Sequence, residues 1–255
     1  MKISIITACY NAQHTVAETI SSVLNQTYQD VEYLIIDGGS SDQTVSIIKS
    51  HPQFGQVSYF VSEPDKGVYD AMNKGILIAS GDIIGFLNAD DVYFDDSVLD
   101  QVAQVFSDPT IDACYADLIY VKQFDSTKTV RYWKSNDYHS GLFEKGWMPA
   151  HPTIFVRRSV YEKYGTFDLQ FKVQADFELT MRFLRVHQIR TLYVPKIWVK
   201  MRMGGISNRS LIGSLFSNIE SFKACKKNGL QIPIAPLFIL RKILSRLPQF
   251  FARPK

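Results

Sequence analysis

The sequence predicts an α/β fold: a mostly parallel central sheet flanked by helices, with a helical extension at the C-terminus. Three observations carry this. The first half alternates short β-rich runs with helical patterns, which is the signature of successive βαβ units. Several of the runs, such as Ile83-Ile84-Gly85-Phe86-Leu87, are apolar at consecutive positions, as strands covered on both faces are. The last forty or so residues read as helix, with no further strand pattern.

Taken in order, Lys2–Ala8, Val31–Asp37, Val57–Ser62 and Asp82–Asn88 are expected strands, and Thr15–Gln26, Asp42–Ser50, Val68–Ala79 and Asp96–Phe106 the helices between them. In the third helix Tyr69, Met72, Ile76 and Ala79 recur at helical spacing and form the core face, leaving Asp70, Asn73 and Lys74 turned from the sheet. Asp112–Lys122 and Thr129–Trp133 follow as strands, then a Gly-, Trp- and Pro-rich stretch around Gly141–Pro152, strand Thr153–Val156 and helix Tyr161–Tyr164. Helix Gln174–Val186, strand Ile189–Val199, a Gly-Gly loop at 204–205 and helix Ser210–Lys227 complete the pattern. The chain divides into a half spanning 1–110, a second half of the same domain over 111–207, and a basic amphipathic segment over 208–255.

The net charge of +3 hides an asymmetry, because Glu220 is the last acidic residue. Residues 221–255 carry +8, which leaves −5 on the first 220. A basic tail on an acidic body fits contact with an anionic surface rather than with nucleic acid. Cys9, Cys114 and Cys225 are odd in number and widely spaced, which argues against a disulfide framework and for a reducing, cytoplasmic compartment. The opening apolar run is too short for a signal peptide, and no run approaches the ~20 apolar residues of a spanning helix.

In an open parallel sheet the ligand lies beyond the carboxyl ends of the strands. Polar residues collect at four such ends: Thr7, Tyr10 and Asn11; Asp37 with Gly38-Gly39-Ser40-Ser41-Asp42; Glu63, Asp65, Lys66 and Gly67; and Asn88-Ala89-Asp90-Asp91. Adjacent carboxylates at the last of these repel unless a cation compensates, and Mg²⁺ or Mn²⁺ held by one or two carboxylates plus phosphates is the usual arrangement. A helix N-cap by Asp91 or Asp95 accounts for such residues too. Asp37 can accept from a ribose or a base N–H, or can simply close an Asx turn. Lys66 stands near a helix N-terminus suited to a diphosphate, or is a solvated loop lysine. Asp176 begins a helix, where a carboxylate is first of all a cap. His151, between Met148-Pro149-Ala150 and Pro152, and Asp91 are candidates for contact with an acceptor or a metal.

Assembled in order, these motifs resemble the family 2 glycosyltransferases with the GT-A fold, particularly bacterial members that build O-antigen, capsule or exopolysaccharide. The resemblance covers about residues 1–205. Ile5-Ile6-Thr7-Ala8-Cys9-Tyr10-Asn11 is similar to the family's nucleotide-contacting turn, and Ile36-Asp37-Gly38-Gly39-Ser40-Ser41-Asp42 to the turn whose Asp binds the nucleoside. Ser62-Glu63-Pro64-Asp65-Lys66-Gly67-Val68-Tyr69-Asp70-Ala71-Met72-Asn73-Lys74-Gly75 resembles the segment leading into its third helix. The DxD-like motif has Asn88 where many relatives have the first Asp, while Asp90 keeps the metal-ligand position. Asp176 in Ala175-Asp176-Phe177-Glu178 matches the family's catalytic position, and Gly204-Gly205-Ile206-Ser207 resembles its donor-covering loop.

The resemblance implies an inverting transfer from a nucleoside-diphosphate-sugar, a UDP-sugar by default, to a hydroxyl of a glycan or lipid-linked glycan. Asp176 would be the base, Asp90 the ligand of a divalent cation, and Thr7, Tyr10, Asn11, Asp37, Asp65, Lys66 and Asn88 the nucleotide site. Two rivals keep the fold: a binding homologue without turnover, and a nucleotidyltransferase. Thr7–His14 has no Gly and, His14 apart, no basic residue, against what a triphosphate-holding loop has. In the tail, Leu237, Leu240, Ile243, Leu244 and Leu247 fall on one side of a helix with Lys242 and Arg246 opposite, and Phe250 and Phe251 follow. This segment, 233–255, either lies on the inner face of a membrane or docks its apolar face on the protein body.

Overall fold

A computed structural model describes residues 1–123, 125–204 and 211–246. The expected loop residues Gly205, Ile206 and Ser207, the start of the helix at Ser210, and Leu247, Phe250 and Phe251 lie outside them.

The strands are β1 (Ile3–Cys9), β2 (Val31–Asp37), β3 (Tyr59–Ser62), β4 (Ile83–Phe86), β5 (Val92–Tyr93), β6 (Ala113–Lys122), β7 (Asp125–Trp133), β8 (Phe155–Arg157) and β9 (Thr191–Arg202). The helices are α1 (Val16–Leu24), α2 (Thr44–Ser50), α3 (Val68–Ile78), α4 (Val98–Phe106), α5 (Arg158–Tyr164), α6 (Ala175–Met181), α7 (Leu211–Lys227) and α8 (Ala235–Arg246).

One sheet runs in the order β3-β2-β1-β4-β8-β6-β9-β5, with β7 pairing β6. Its first four strands are parallel, joined by α1, α2 and α3, so their carboxyl ends open on one rim. β8 then runs antiparallel to both β4 and β6, while β9 runs parallel to β6. The central parallel strands β1 and β4 are buried throughout, which matches their unbroken apolar runs, while β3 at the edge of the sheet is partly exposed. Two cores result, one on each side of the sheet. One contains Met72 and Ile76 of α3 together with Phe177 and Phe183, and the other contains Ile20 and Val23 of α1 together with Val98 and Val102 of α4.

Three elements depart from expectation. β5 is only two residues long, too short to leave a pattern, and pairs with Val199 and Lys200 of β9. β7 begins at Asp125 rather than Thr129, because its exposed residues carry no alternation that would reveal it. α6 stops at Met181 and continues as a wider turn over Arg182–Val186, where Arg182 donates to Glu178 (3.0 Å) and to the backbone of Thr166 (2.7 Å). Asn73 of α3 does turn from the sheet, but toward a loop: its amide donates to Phe167 O and accepts from Phe167 N, both at 2.9 Å.

Candidate active site

The ends of β1 and β2 are tied to each other. Asn11 takes a left-handed backbone (φ 49°), a conformation Asn tolerates better than most residues. From there its Oδ1 accepts from Ser41 N at 3.0 Å while its own N–H donates to Ser40 Oγ at 2.8 Å. The Asp37 carboxylate accepts from Gly39 N (3.2 Å), Ser40 N (2.9 Å), the Ser40 hydroxyl and the Ser62 hydroxyl. Gly39 turns at φ +79°, and a side chain at Gly38 would collide with the Asp65 carboxylate, so the two glycines let the β3 loop close over the β2 loop. Asp65 in turn accepts from Gly67 N at 2.7 Å at the start of α3. Tyr10 stands out after β1 at 64% exposure, and Lys66, ahead of α3, is exposed as well.

At the mouth of β4, Asn88 and Asp90 are half-buried and Asp91 is enclosed. Asn88 donates to Asp91 Oδ2 (3.3 Å), and the N–H of Arg202 to Asp91 Oδ1 (3.3 Å). The Arg202 guanidinium donates to the Asp90 carbonyl at 2.9 Å and pairs with Glu18. β9 therefore pins the turn from behind. Burial, with the Asp90 charge adding, holds the Asp91 carboxyl well above the usual carboxylate range, against the pull of Asn88 and Arg202. Burial and then the charges of Asp37 and Asp90 push the Cys9 thiol up.

Asp176 occupies the first turn of α6 and is half-buried. Its Oδ1 accepts from Phe177 N (2.8 Å) and lies 3.1 Å from the Tyr69 hydroxyl, whose proton it shares with the Val173 carbonyl (2.9 Å); among the described residues its Oδ2 accepts nothing. Burial and the Asp176 charge raise the Tyr69 phenol far above its ordinary value, so it stays a donor. Tyr69 packs on Phe167 (5.3 Å between centroids), and Phe167 packs on Phe86 of β4 (5.4 Å) and on His151 (5.7 Å). Asp176 is thereby tied through three rings to the strand that ends at Asn88–Asp90. Burial lowers the His151 imidazole, and the nearby Asp176 charge partly offsets this.

The geometry places the other expected site residues as follows. Thr7 is fully buried with its hydroxyl on Tyr33 OH (3.1 Å), so its side chain offers a nucleotide no contact. Asp37 is also fully enclosed and holds four donors; to reach a base or ribose, the Ser40 or Ser62 hydroxyl has to turn away. Asp91 is fully buried and accepts from Asn88 and from the N–H of Arg202. His151 sits in an aromatic stack, and among the described residues no cluster of three or more His, Cys, Asp or Glu forms a metal cage.

Other residues escaped the sequence reading. Tyr69 was legible only as a core residue, although a tyrosine on a buried face must find a partner for its hydroxyl. Arg202 carried no signal. Glu220 of α7, legible only as the last acid before a basic tail, accepts from the N–H groups of Lys172 (2.9 Å), Val173 (2.8 Å) and Gln174 (3.0 Å), and so holds the backbone that delivers Asp176.

The residues fit a divalent cation of the kind that shares its coordination with phosphates. Asp90 offers a half-exposed carboxylate at the strand end, and Asn88 Oδ1 is buried without a hydrogen-bond partner among the described residues, an acceptor waiting for a donor.

Comparison with known proteins agrees with this architecture. The family model described as Glycosyl transferase family 2 matches residues 4–165. A PGL/p-HBAD biosynthesis glycosyltransferase of Mycobacterium tuberculosis is 30% identical over 245 residues, 95% of this chain and 92% of that protein. An uncharacterized glycosyltransferase of Rickettsia typhi is 28% identical over 228 residues, 87% of this chain and 69% of that protein. Among solved structures, S. aureus TarS 1-349 in complex with UDP-GlcNAc superposes with a TM-score of 0.67 at 14% identity, covering 97% of this chain and 73% of that one. The mannosyltransferase PcManGT from Pyrobaculum calidifontis, in complex with GDP-Man and Mn²⁺, gives 0.67 at 19% identity, covering 98% and 73%.

Proposed function

The chain belongs to glycosyl transferase family 2 and has the GT-A fold, and from that premise we propose that it is an inverting, metal-dependent enzyme of surface-glycan assembly. The observation that supports this reading is the state of Asp176: a half-buried carboxylate held through Oδ1, with Oδ2 accepting nothing among the described residues, and linked through the Tyr69, Phe167 and Phe86 rings to the strand that leads to Asn88 and Asp90.

Asp176 Oδ2 takes the proton of the acceptor hydroxyl; the hydroxyl oxygen attacks the anomeric carbon from the face opposite the phosphate. The bond between that carbon and the phosphate oxygen breaks, its electron pair leaves with the nucleoside diphosphate, and the configuration inverts. The Tyr69 hydroxyl, whose single proton is shared between the Val173 carbonyl (2.9 Å) and Asp176 Oδ1 (3.1 Å), holds the carboxylate to the backbone that precedes α6. A divalent cation, Mn²⁺ or Mg²⁺, held by Asp90 and the donor's phosphate oxygens would offset the charge that develops on the leaving diphosphate. Asn88 Oδ1 accepts from a ribose hydroxyl, Tyr10 stacks on the base, and Asn11, Asp65 and Lys66 complete the nucleotide side of the cleft.

A UDP-sugar is the donor to try first, since the TarS structures hold UDP and UDP-GlcNAc, with GDP-mannose, held by PcManGT, second. The acceptor is a hydroxyl of a glycan or lipid-linked glycan, and the three buried free cysteines suit a reducing compartment such as the cytoplasm. A panel of sugar nucleotides assayed with and without Mn²⁺ or Mg²⁺ tests the reading: nucleoside diphosphate should be released only with metal. Pyrophosphate as the product, or no turnover of any donor, would overturn it.

A further inference from the structure

α8 sits on the body by the face that carries Phe238, Ile239 and Lys242, not by its row of leucines. Phe238 and Lys242 are fully buried. The Lys242 ammonium donates to Gln174 Oε1 (3.0 Å) and to the Ser221 hydroxyl and lies over the Phe177 ring (5.0 Å). The approach is built in from the other side as well: Gly146, at φ +79°, lies so close to the Lys242 stem that a side chain there would overlap it. With that face committed, Leu237, Leu240, Ile243 and Leu244 are left 40%, 52%, 49% and 51% exposed. At helical spacing these four share one stripe, so the alternative in which the apolar side docks on the body is overturned.

We propose that this stripe is a docking surface for an anionic lipid bilayer. The charge around it selects that occupant. Residues 221–255 carry +8 and no acid; Arg241 is exposed at the edge of the stripe, and Lys223 and Lys226 are exposed on α7, which packs on α8 through the Phe222–Phe238 ring pair (6.0 Å). Lys242 is buried and Lys227 is paired with Asp168, so among the described residues the surface cations here are Arg241, Lys223 and Lys226; a second copy brought stripe to stripe would set these like charges against each other, whereas an anionic membrane takes the leucines among its acyl chains and the cations at its headgroups. Among the described residues no helix is long and apolar enough to cross a membrane, so the contact is one of lying on the surface. It stands independently of the role given to Asp176.

The test is co-sedimentation of the full chain with phosphatidylcholine vesicles, with and without phosphatidylserine, for the wild type and for Leu240→Gln/Ile243→Gln. Both residues are half-exposed, so the variant should keep the wild-type unfolding temperature. The wild type should sediment with anionic vesicles, less with neutral ones, and less again in high salt. The double variant should partition about tenfold more weakly, given the apolar area removed. Equal partitioning of variant and wild type, equal binding to neutral vesicles, or an absence of vesicle binding alongside a dimer in light scattering that the variant dissolves, would each overturn the proposal.

Discussion

Replacing Glu220 with alanine removes the acceptor of three backbone N–H groups at once, those of Lys172, Val173 and Gln174. Glu220 is buried, and the bonds of 2.8–3.0 Å are charge-assisted. Such bonds contribute roughly 1.5–3 kcal/mol each. Lys172 is exposed, so water can replace its share, and removing the carboxylate also relieves the cost of its burial. A net loss of about 3 kcal/mol follows, equivalent to a fall of roughly 6–12 °C in unfolding temperature for a chain of this size. Gln keeps one carbonyl oxygen, which can accept two of the three bonds, so Glu220→Gln should lose about half as much. Thermal unfolding of the three proteins reads the stability; nucleoside diphosphate release at saturating donor reads the placement of Asp176, two residues beyond the last of these bonds, and should fall in the same order. An Ala variant within about 0.5 kcal/mol of wild type would refute the reasoning.

Other outcomes follow from the same geometry. Arg202→Met cuts the tie from β9 to the Asp90 carbonyl and the pair with Glu18; since Glu18 is half-exposed, the loss should be about 2 kcal/mol, and the metal concentration for half-maximal turnover should rise. Burial depresses the His151 imidazole, so the fold binds fewer protons there than the unfolded chain does. Its contribution to stability is therefore complete above about pH 6.5 and is lost as pH falls through the lowered folded value, and urea midpoints should show that decline in wild type and a weaker one in His151→Phe. Because the Asp176 charge props His151 up, Asp176→Asn should move the His151 NMR titration further down; an unmoved titration would separate the two residues.

How much of this was legible in sequence varied with the signal. β2 reads from Val31 to Asp37 both ways, because a buried parallel strand bounded by turn residues leaves an unbroken run that nothing else imitates. The rim was legible for the same reason: strand ends of one polarity must gather there. Side-chain roles at the rim were less so. Thr7, Asp37 and Asp91 have the right residue types in the right loops, yet all three are enclosed and spend their polar atoms on the frame. A pattern in one dimension does not distinguish a carboxylate that faces a ligand from one that organises the loop beneath it. α8 was open between two orientations in the sequence. The Lys242 ammonium over Phe177, with two acceptors, and the buried Phe238 fix which face meets the body, and partners at positions 174 and 221 cannot be read locally. Glu220 is the same case: its three partners lie 46 to 48 residues away in the chain.

The most direct measurement is turnover and donor binding by Asp176→Asn beside Asp90→Asn, each with a wild-type unfolding temperature. Asp176→Asn should bind donor and metal as wild type does while nucleoside diphosphate release falls by about 10²–10⁴; Asp90→Asn should lose metal-dependent donor affinity as well. Wild-type turnover by either folded variant would contradict the account.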